Sequence, residues 1–419
     1  MPPRPKRSRV FIRKALLLCA ALVIGVILCE VTLHVAGISY PVLYTYDSDL
    51  ASRHLPGASG WWLQEGRAYV RINRDGLRDG NHRNPRPEDA FRIALLGDSY
   101  CEAFQVEVED AFWSVMEAEL NQRQAIEGRN FEVINFGVSG YATTQELLRL
   151  RRDVWAYDPQ VVLLAFTPQN DVRDNAKSLA LEADPQLGGV RPFFELRNGE
   201  LVLDNSFRDS APYLARSSRY ECAKATIVNK SYLLQLLKHV KQRGFRRDAP
   251  PQNGEDEPML DHARQSAEIY SAPKTEDWTM AWQMTERMIQ QMHKETRRHD
   301  ARFCVVVLST CLQAYPDARV RRKFMDEQGI DDLSYPNRRI VELGERSGFP
   351  VADVAPFLRA HAEKHQEFLH GAYNTPKGVG HYSVEGHRIV GEYLAEWLRK
   401  ELQTDDSISH GTAPAKPGT

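Results

Sequence analysis

The sequence predicts an α/β protein: a three-layer α/β/α sandwich around a central parallel sheet, preceded by one transmembrane helix. Three observations predict it. Short apolar runs of strand length recur along the chain and break into turns rich in Gly, Asn and Ser. Amphipathic helical patterns separate those runs, which is the rhythm of a parallel sheet covered by helices. A basic N-terminal run leads directly into an uncharged apolar one.

That N-terminal run comes first in chain order. Residues 1–14 hold Arg4, Lys6, Arg7, Arg9, Arg13 and Lys14 and no acid, and residues 15–29 carry no charge. A helix over 15–37 rises about 34 Å, enough to cross a hydrocarbon layer with Glu30 and His34 near the far interface. Positive flanks stay in the cytoplasm. The expected arrangement is therefore a basic cytoplasmic tail (1–14), a single pass through the cytoplasmic membrane (15–37) and a body outside it, periplasmic or extracellular. The rival is a cleaved signal peptide, whose best site, Val35-Ala-Gly37, fits the small-x-small pattern poorly. Neither Cys19 nor Cys29 is preceded as a lipoprotein cysteine requires.

Composition narrows the class further. Across 419 residues, 42% are apolar and 26% charged, as a globular body needs. The net charge of −2 becomes −8 once the basic tail is set aside. A mildly acidic body gives no electrostatic reason to expect nucleic-acid binding. Four scattered cysteines beyond the helix (Cys101, Cys222, Cys304, Cys311) form no disulfide scaffold and no CxxC pair. His361 and His365 share a helix face but lack the glutamate of a zinc protease. No metal or cofactor is expected, and Cys101 reads as a small buried residue.

Residues 38–90 form a lead-in with a short strand at 69–72 and a turn at Asp75-Gly76. The body follows over 91–402. Strands are expected at 92–96, 131–136, 161–166, 303–308 and 350–354. Helices are expected at 111–122, 144–156, 279–298, 336–347 and 384–402. The rhythm lapses over an insertion at about 175–277 that is expected to cap the site, where 232–241 suggests a short helix and 243–275 a flexible loop. A polar tail closes the chain at 403–419.

Parallel sheets carry their sites at the carboxyl ends of strands. Four segments fall there or beside a helix start: Gly97-Asp98-Ser99, then Asn135-Phe-Gly-Val-Ser-Gly140, then Gln169-Asn170-Asp171, and last Gly380-His381-Tyr-Ser-Val-Glu-Gly-His387. A serine hydroxyl is a weak nucleophile until a turn exposes it, a base takes its proton and donors hold the oxyanion.

In this order the four blocks resemble those of the SGNH/GDSL hydrolase family, over about 92–402 with the insertion set aside. The resemblance implies a flavodoxin-like sandwich and an esterase. It implies Ser99 as nucleophile and first oxyanion donor through its own N–H, Gly140 as second donor through its N–H, Asn170 as third through its amide, and His381 as the base. Ser383 suits a helix N-cap, which leaves His381 in the loop and His387 structural inside the helix.

The chain departs from the family pattern at Gly378, where an aspartate usually stands three residues before the histidine. A backbone carbonyl orienting a Ser-His dyad is the expected solution, with Asp353 or Asp171 as other sources and lowered activity as a third outcome. Pro168 replaces a common glycine, which alters loop shape more than chemistry. The resulting expectation is a membrane-anchored serine esterase acting on a glycan, a lipid or a small acyl ester, with O-acetyl groups of glycans fitting the location best. The rivals are an O-acyltransferase passing the acyl group from Ser99 to a sugar hydroxyl, and a glycan-binding or assembly protein of the same fold with little activity.

Overall fold

The computed structural model describes residues 6–185, 189–243 and 256–403. The polar segment 248–255 and the tail from 404 onward lie outside them; Gln403 itself ends the last helix.

Five strands form the central sheet: β1 (Ala90–Leu96), β2 (Asn130–Asn135), β3 (Val161–Phe166), β4 (Arg302–Val307) and β5 (Val351–Asp353). They lie in the order β5-β4-β3-β1-β2, every pairing parallel, with Ile93 opposite both Val133 and Val161. Strands buried on both faces read as continuous apolar runs rather than alternating ones. That is why 92–96 and 161–166 stand out so clearly in the sequence.

The two-residue period of a strand sends alternate side chains into two separate cores. Ala94, Leu96, Ile134, Leu164 and Val305 point into one, which also holds Leu147, Met288 and Ile289. Ile93, Leu95, Val133, Leu163 and Val306 point into the other, with Phe112, Met116, Leu394 and Leu398. The covering helices include α2 (Ser99–Glu102), α3 (Phe112–Gln122) and α4 (Thr143–Arg152) before the insertion, and α8 (Glu276–Arg298) and α9 (Val384–Gln403) after it. This is the expected three-layer sandwich.

The lead-in folds as two antiparallel hairpins, Tyr44–Asp47 with Ala51–His54 and Ser59–Trp62 with Ala68–Arg71. Before it runs α1 (Lys6–Val35), a helix whose stretch Phe11–Val35 is long and apolar enough to cross a membrane.

The insertion is more regular than its sequence suggests. It contains a hairpin, Phe193–Arg197 with Glu200–Asp204. It also contains helices α5 (Arg219–Asn229), α6 (Tyr232–Arg243) and α7 (Glu257–Arg264). The expected short helix at 232–241 is α6, and within the tract expected as a flexible loop at 243–275 the described residues include α7 and a turn at Ala267–Tyr270. Pro258 sits in the first turn of α7, where a missing N–H costs nothing.

Candidate active site

β1 ends at Leu96, and Gly97-Asp98 turns the chain into α2, whose first residue is Ser99. The turn is tight. A side chain at Gly97 would run into the Sγ of Cys101, which is itself fully buried in the core. Asp98 caps α2 by accepting from the Tyr100 amide at 3.0 Å. Its other oxygen accepts from Asn170 Nδ2 at 2.9 Å. One buried carboxylate thus fixes both the serine turn and the amide that follows β3.

The imidazole of His381 lies between two partners. Its Nε2 is 2.7 Å from Ser99 Oγ, and its Nδ1 is 2.6 Å from Glu65 Oε2. The other oxygen of Glu65 accepts from the His381 backbone N–H at 2.7 Å. A carboxylate only accepts, so the neutral ring keeps its proton on Nδ1 and turns the Nε2 lone pair toward the serine hydroxyl. Burial alone would raise the pKa of Glu65, but the bonds and charge of His381 outweigh it and hold it below the usual carboxylate value. Burial alone would lower that of His381, and Glu65 overrides it upward.

The Nδ1 partner corrects the expectation of a backbone carbonyl. Neither alternative acid fills the position: Asp353, the last residue of β5, accepts from the Asn337 amide and from Ala355 N, and Asp171 accepts from the Thr167 amide. Glu65 comes from the loop of the second lead-in hairpin, between Trp62 and Ala68. Asn374 clamps that loop to the histidine loop, accepting from Gly66 N at 2.7 Å and donating to Leu63 O at 3.2 Å. The lead-in is therefore part of the site. Only the empty position at Gly378 signalled that an acid had to come from elsewhere.

Gly140 sits at φ +78°, a conformation side chains disfavour, in the loop after β2. Glu102 holds that loop by accepting from the Ser139 amide at 3.0 Å, and it also takes the Tyr44 hydroxyl and His54 Nε2, both from the lead-in. The amides of Ser99 and Gly140 donate to no described residue, which leaves both N–H groups for a ligand. His387, in contrast, accepts from the Phe112 amide inside the core, and Ser383 caps α9 through the Gly386 amide. Both agree with expectation.

The insertion contributes as well. His262 on α7 meets Gln169 at 2.9 Å, beside Asn170, and burial followed by repulsion from His381 lowers its pKa. A cavity of about 910 Å³ adjoins the site through Ser139 and Gly140. It is walled by lead-in residues Tyr44 and Ser52, by Arg173 and Arg191, and by Cys222 and Val228 of α5; Ser99 and His381 do not line it. Among the described residues one group has the reach to hold a metal ion, His361 with Glu367 and Glu385, whose ligand atoms lie within 4.8 Å of one another.

A hydroxyl, an imidazole and a carboxylate in hydrogen-bonded series at the carboxyl edge of a parallel sheet, beside free amide donors, make up the equipment of an enzyme that hydrolyses ester bonds. The chain belongs to the GDSL-like lipase/acylhydrolase family, whose model matches residues 95–389. Among solved structures it is similar to an acetyl xylan esterase, AlAXEase, at 12% identity over 74% of this chain and 98% of that one, with a TM-score of 0.35. It is similar also to LAE5, an alpha/beta hydrolase enzyme from the metagenome of Lake Arreo in Spain (13%, 77% and 97%, 0.34). A third is a catalytic mutant of Axe2, an acetylxylan esterase from Geobacillus stearothermophilus (12%, 74% and 93%, 0.33). Among curated proteins none matches the chain.

Proposed function

We propose that this ester hydrolase is a membrane-anchored, extracytoplasmic enzyme working through a serine acyl-enzyme. Ser99 attacks the acyl carbon while His381 Nε2 takes its proton, and Glu65 steadies the imidazolium that forms. The N–H groups of Ser99 and Gly140 and the amide of Asn170 receive the oxyanion. His381 then returns the proton to the departing alcohol, and water repeats the sequence to release the acid.

The observation that carries this reading is the continuous series Ser99 Oγ, His381, Glu65, with contacts of 2.7 and 2.6 Å. O-acetyl groups of glycans are the substrate class that suits a tethered domain outside the membrane. The basic residues before α1 support the orientation, since they favour the cytoplasmic side.

The test is hydrolysis of p-nitrophenyl esters of graded chain length and of acetylated glycans by the full chain in detergent, beside Ser99→Ala and His381→Ala. Turnover restricted to the unaltered protein, with fluorophosphonate labelling lost in Ser99→Ala, is the expected result. Hydrolysis that persists in either variant overturns the assignment.

A further inference from the structure

Helix α6 stands against α1 at the end of the apolar stretch. Glu30 of α1 accepts from the amides of Tyr232 and Leu233, at 2.5 and 3.0 Å, and from the Ser231 hydroxyl at 3.0 Å, so it caps the start of α6. One turn further along α1, the His34 ring meets Tyr232 edge-on at 5.0 Å between centroids. The chain leaving α1 is tied to the same region, with Tyr40 N donating to Gln235 and Val42 N to Asn229. Helix α6 therefore begins at the level of the last two turns of α1. Any bilayer crossed by Phe11–Val35 has its surface at that level.

At that level α6 leaves a stripe of apolar side chains uncovered. Leu234, Leu237 and Val240 recur every third residue and are between 39% and 59% exposed. On the adjoining α5, Tyr220 and Ile227 are exposed to 73% and 59%. The opposite face of α5 is accounted for, since Cys222, Ala225 and Val228 line the cavity beside Gly140. Residues 211–241 also carry six cations against the single acid Glu221, whereas the protein beyond its basic tail is acidic overall; Arg216, Lys224 and Lys238 line the cavity, and Arg219, Lys230 and Lys241 are exposed outside it. An apolar stripe flanked by cations is the composition of a helix lying in the plane of an anionic lipid surface.

We infer that α5 and α6 form a second, in-plane membrane contact, with Leu234, Leu237 and Val240 inserted among anionic phospholipids beside α1. The inference rests on α1 being a membrane-spanning anchor. Its consequence is a catalytic domain held against the bilayer at a fixed height, with the cavity wall formed by α5 next to the lipid surface rather than swinging on a free stalk.

The test places p-benzoylphenylalanine singly at positions 22, 227, 237 and 338 of the full chain in nanodiscs of equal parts phosphatidylglycerol and phosphatidylcholine. Ultraviolet adducts are then read by mass spectrometry. Position 22 reports on α1, and 338, an exposed site on the helix Tyr335–Ser347, is the negative control. Lipid adducts at 22, 227 and 237, roughly tenfold above 338, are expected, with the 237 adduct falling several-fold in phosphatidylcholine alone. Adducts at 22 without any at 227 or 237, or crosslinks from 237 to a second copy of the chain, overturn the inference and leave the anchor standing. No lipid adduct at 22 removes the anchor, and the inference with it.

Discussion

Glu65 and His381 meet twice across 316 residues of chain, once through Oε2 to the ring Nδ1 and once through Oε1 to the backbone N–H. The double contact fixes the carboxylate by its second oxygen, so the ring partner is held whether or not the ring is charged. Replacing Glu65 by Gln offers Nδ1 either the amide oxygen or a competing donor and removes the charge that favours the imidazolium. A fall in kcat of roughly 10²- to 10⁴-fold is expected, with KM little changed.

The same pair sets the pH dependence. In the proposed mechanism His381 takes the Ser99 proton only when neutral, and against the lowering effect of burial Glu65 raises its pKa above the ordinary 6.5. Activity of the unaltered enzyme is therefore lost as pH falls through a midpoint above 6.5. In Glu65→Gln the charge that raises it is gone, so the midpoint of the residual activity moves to lower pH. A kcat/KM profile from pH 5 to 9 measures both; a midpoint that does not move would show that Glu65 does not govern the ring.

Gly380 makes room for this contact. It sits at φ +110°, and a Cβ there would collide with Glu65 Oε1. Gly380→Ala is expected to lower kcat as far as Glu65→Gln does, with a stability loss of about 1–3 kcal/mol from the strained backbone. Thermal melting beside fluorophosphonate labelling separates the two effects. A variant that labels at the normal rate would mean the loop can yield without parting the pair.

Much of the scaffold was legible because strands buried on both faces leave continuous apolar runs, as 161–166 does at full length. The insertion was less legible, although Asn198-Gly199, with φ of +54° and +81°, is the two-residue hairpin turn that sequence does encode. Ser99, Gly140, Asn170 and His381 stand beside strand ends or a helix start, where local pattern marks them. Glu65 has no such mark: it lies in a five-residue loop among Trp, Leu and Gln, and its position depends on Asn374 and Gly380 far along the chain. Glu102 is equally silent in sequence, since its bonds to Tyr44, His54 and Ser139 join three separate segments.

Asn170 is steadied by Asp98 through one amide hydrogen, which leaves the other for the oxyanion contact proposed above. Asn170→Ala is expected to reduce kcat about 10²- to 10³-fold, or roughly 3 kcal/mol of transition-state stabilisation, with little change in KM. Asn170→Asp should be worse, because it sets a second carboxylate against the buried Asp98 and offers an acceptor where a donor is needed. Steady-state kinetics on a short ester decide it; an Asn170→Ala enzyme within a few-fold of the original would remove the side chain from the oxyanion site.

Behind the site lies a buried acid group that the reaction does not require to be charged. Glu146 on α4 is 1% exposed and among the described residues neither of its oxygens finds a partner, nor does Asp171 Oδ1. Burial first, then the neighbouring Asp98, pushes the Glu146 pKa well above 4.5; burial and then Glu146 push that of Asp171 well above its ordinary 3.8. A carboxyl whose folded pKa is raised gives its full stability below the unfolded value, near 4.5, and loses about 1.4 kcal/mol for each pH unit above that until the folded value is reached. Glu146→Gln cannot ionise and supplies N–H donors to its carboxylate neighbours. The variant should therefore gain on the original protein as pH rises from 5 to 8, in melting temperature measured by calorimetry on both. A gap between them that stays constant over that range would mean that Glu146 holds no proton the unfolded chain would release.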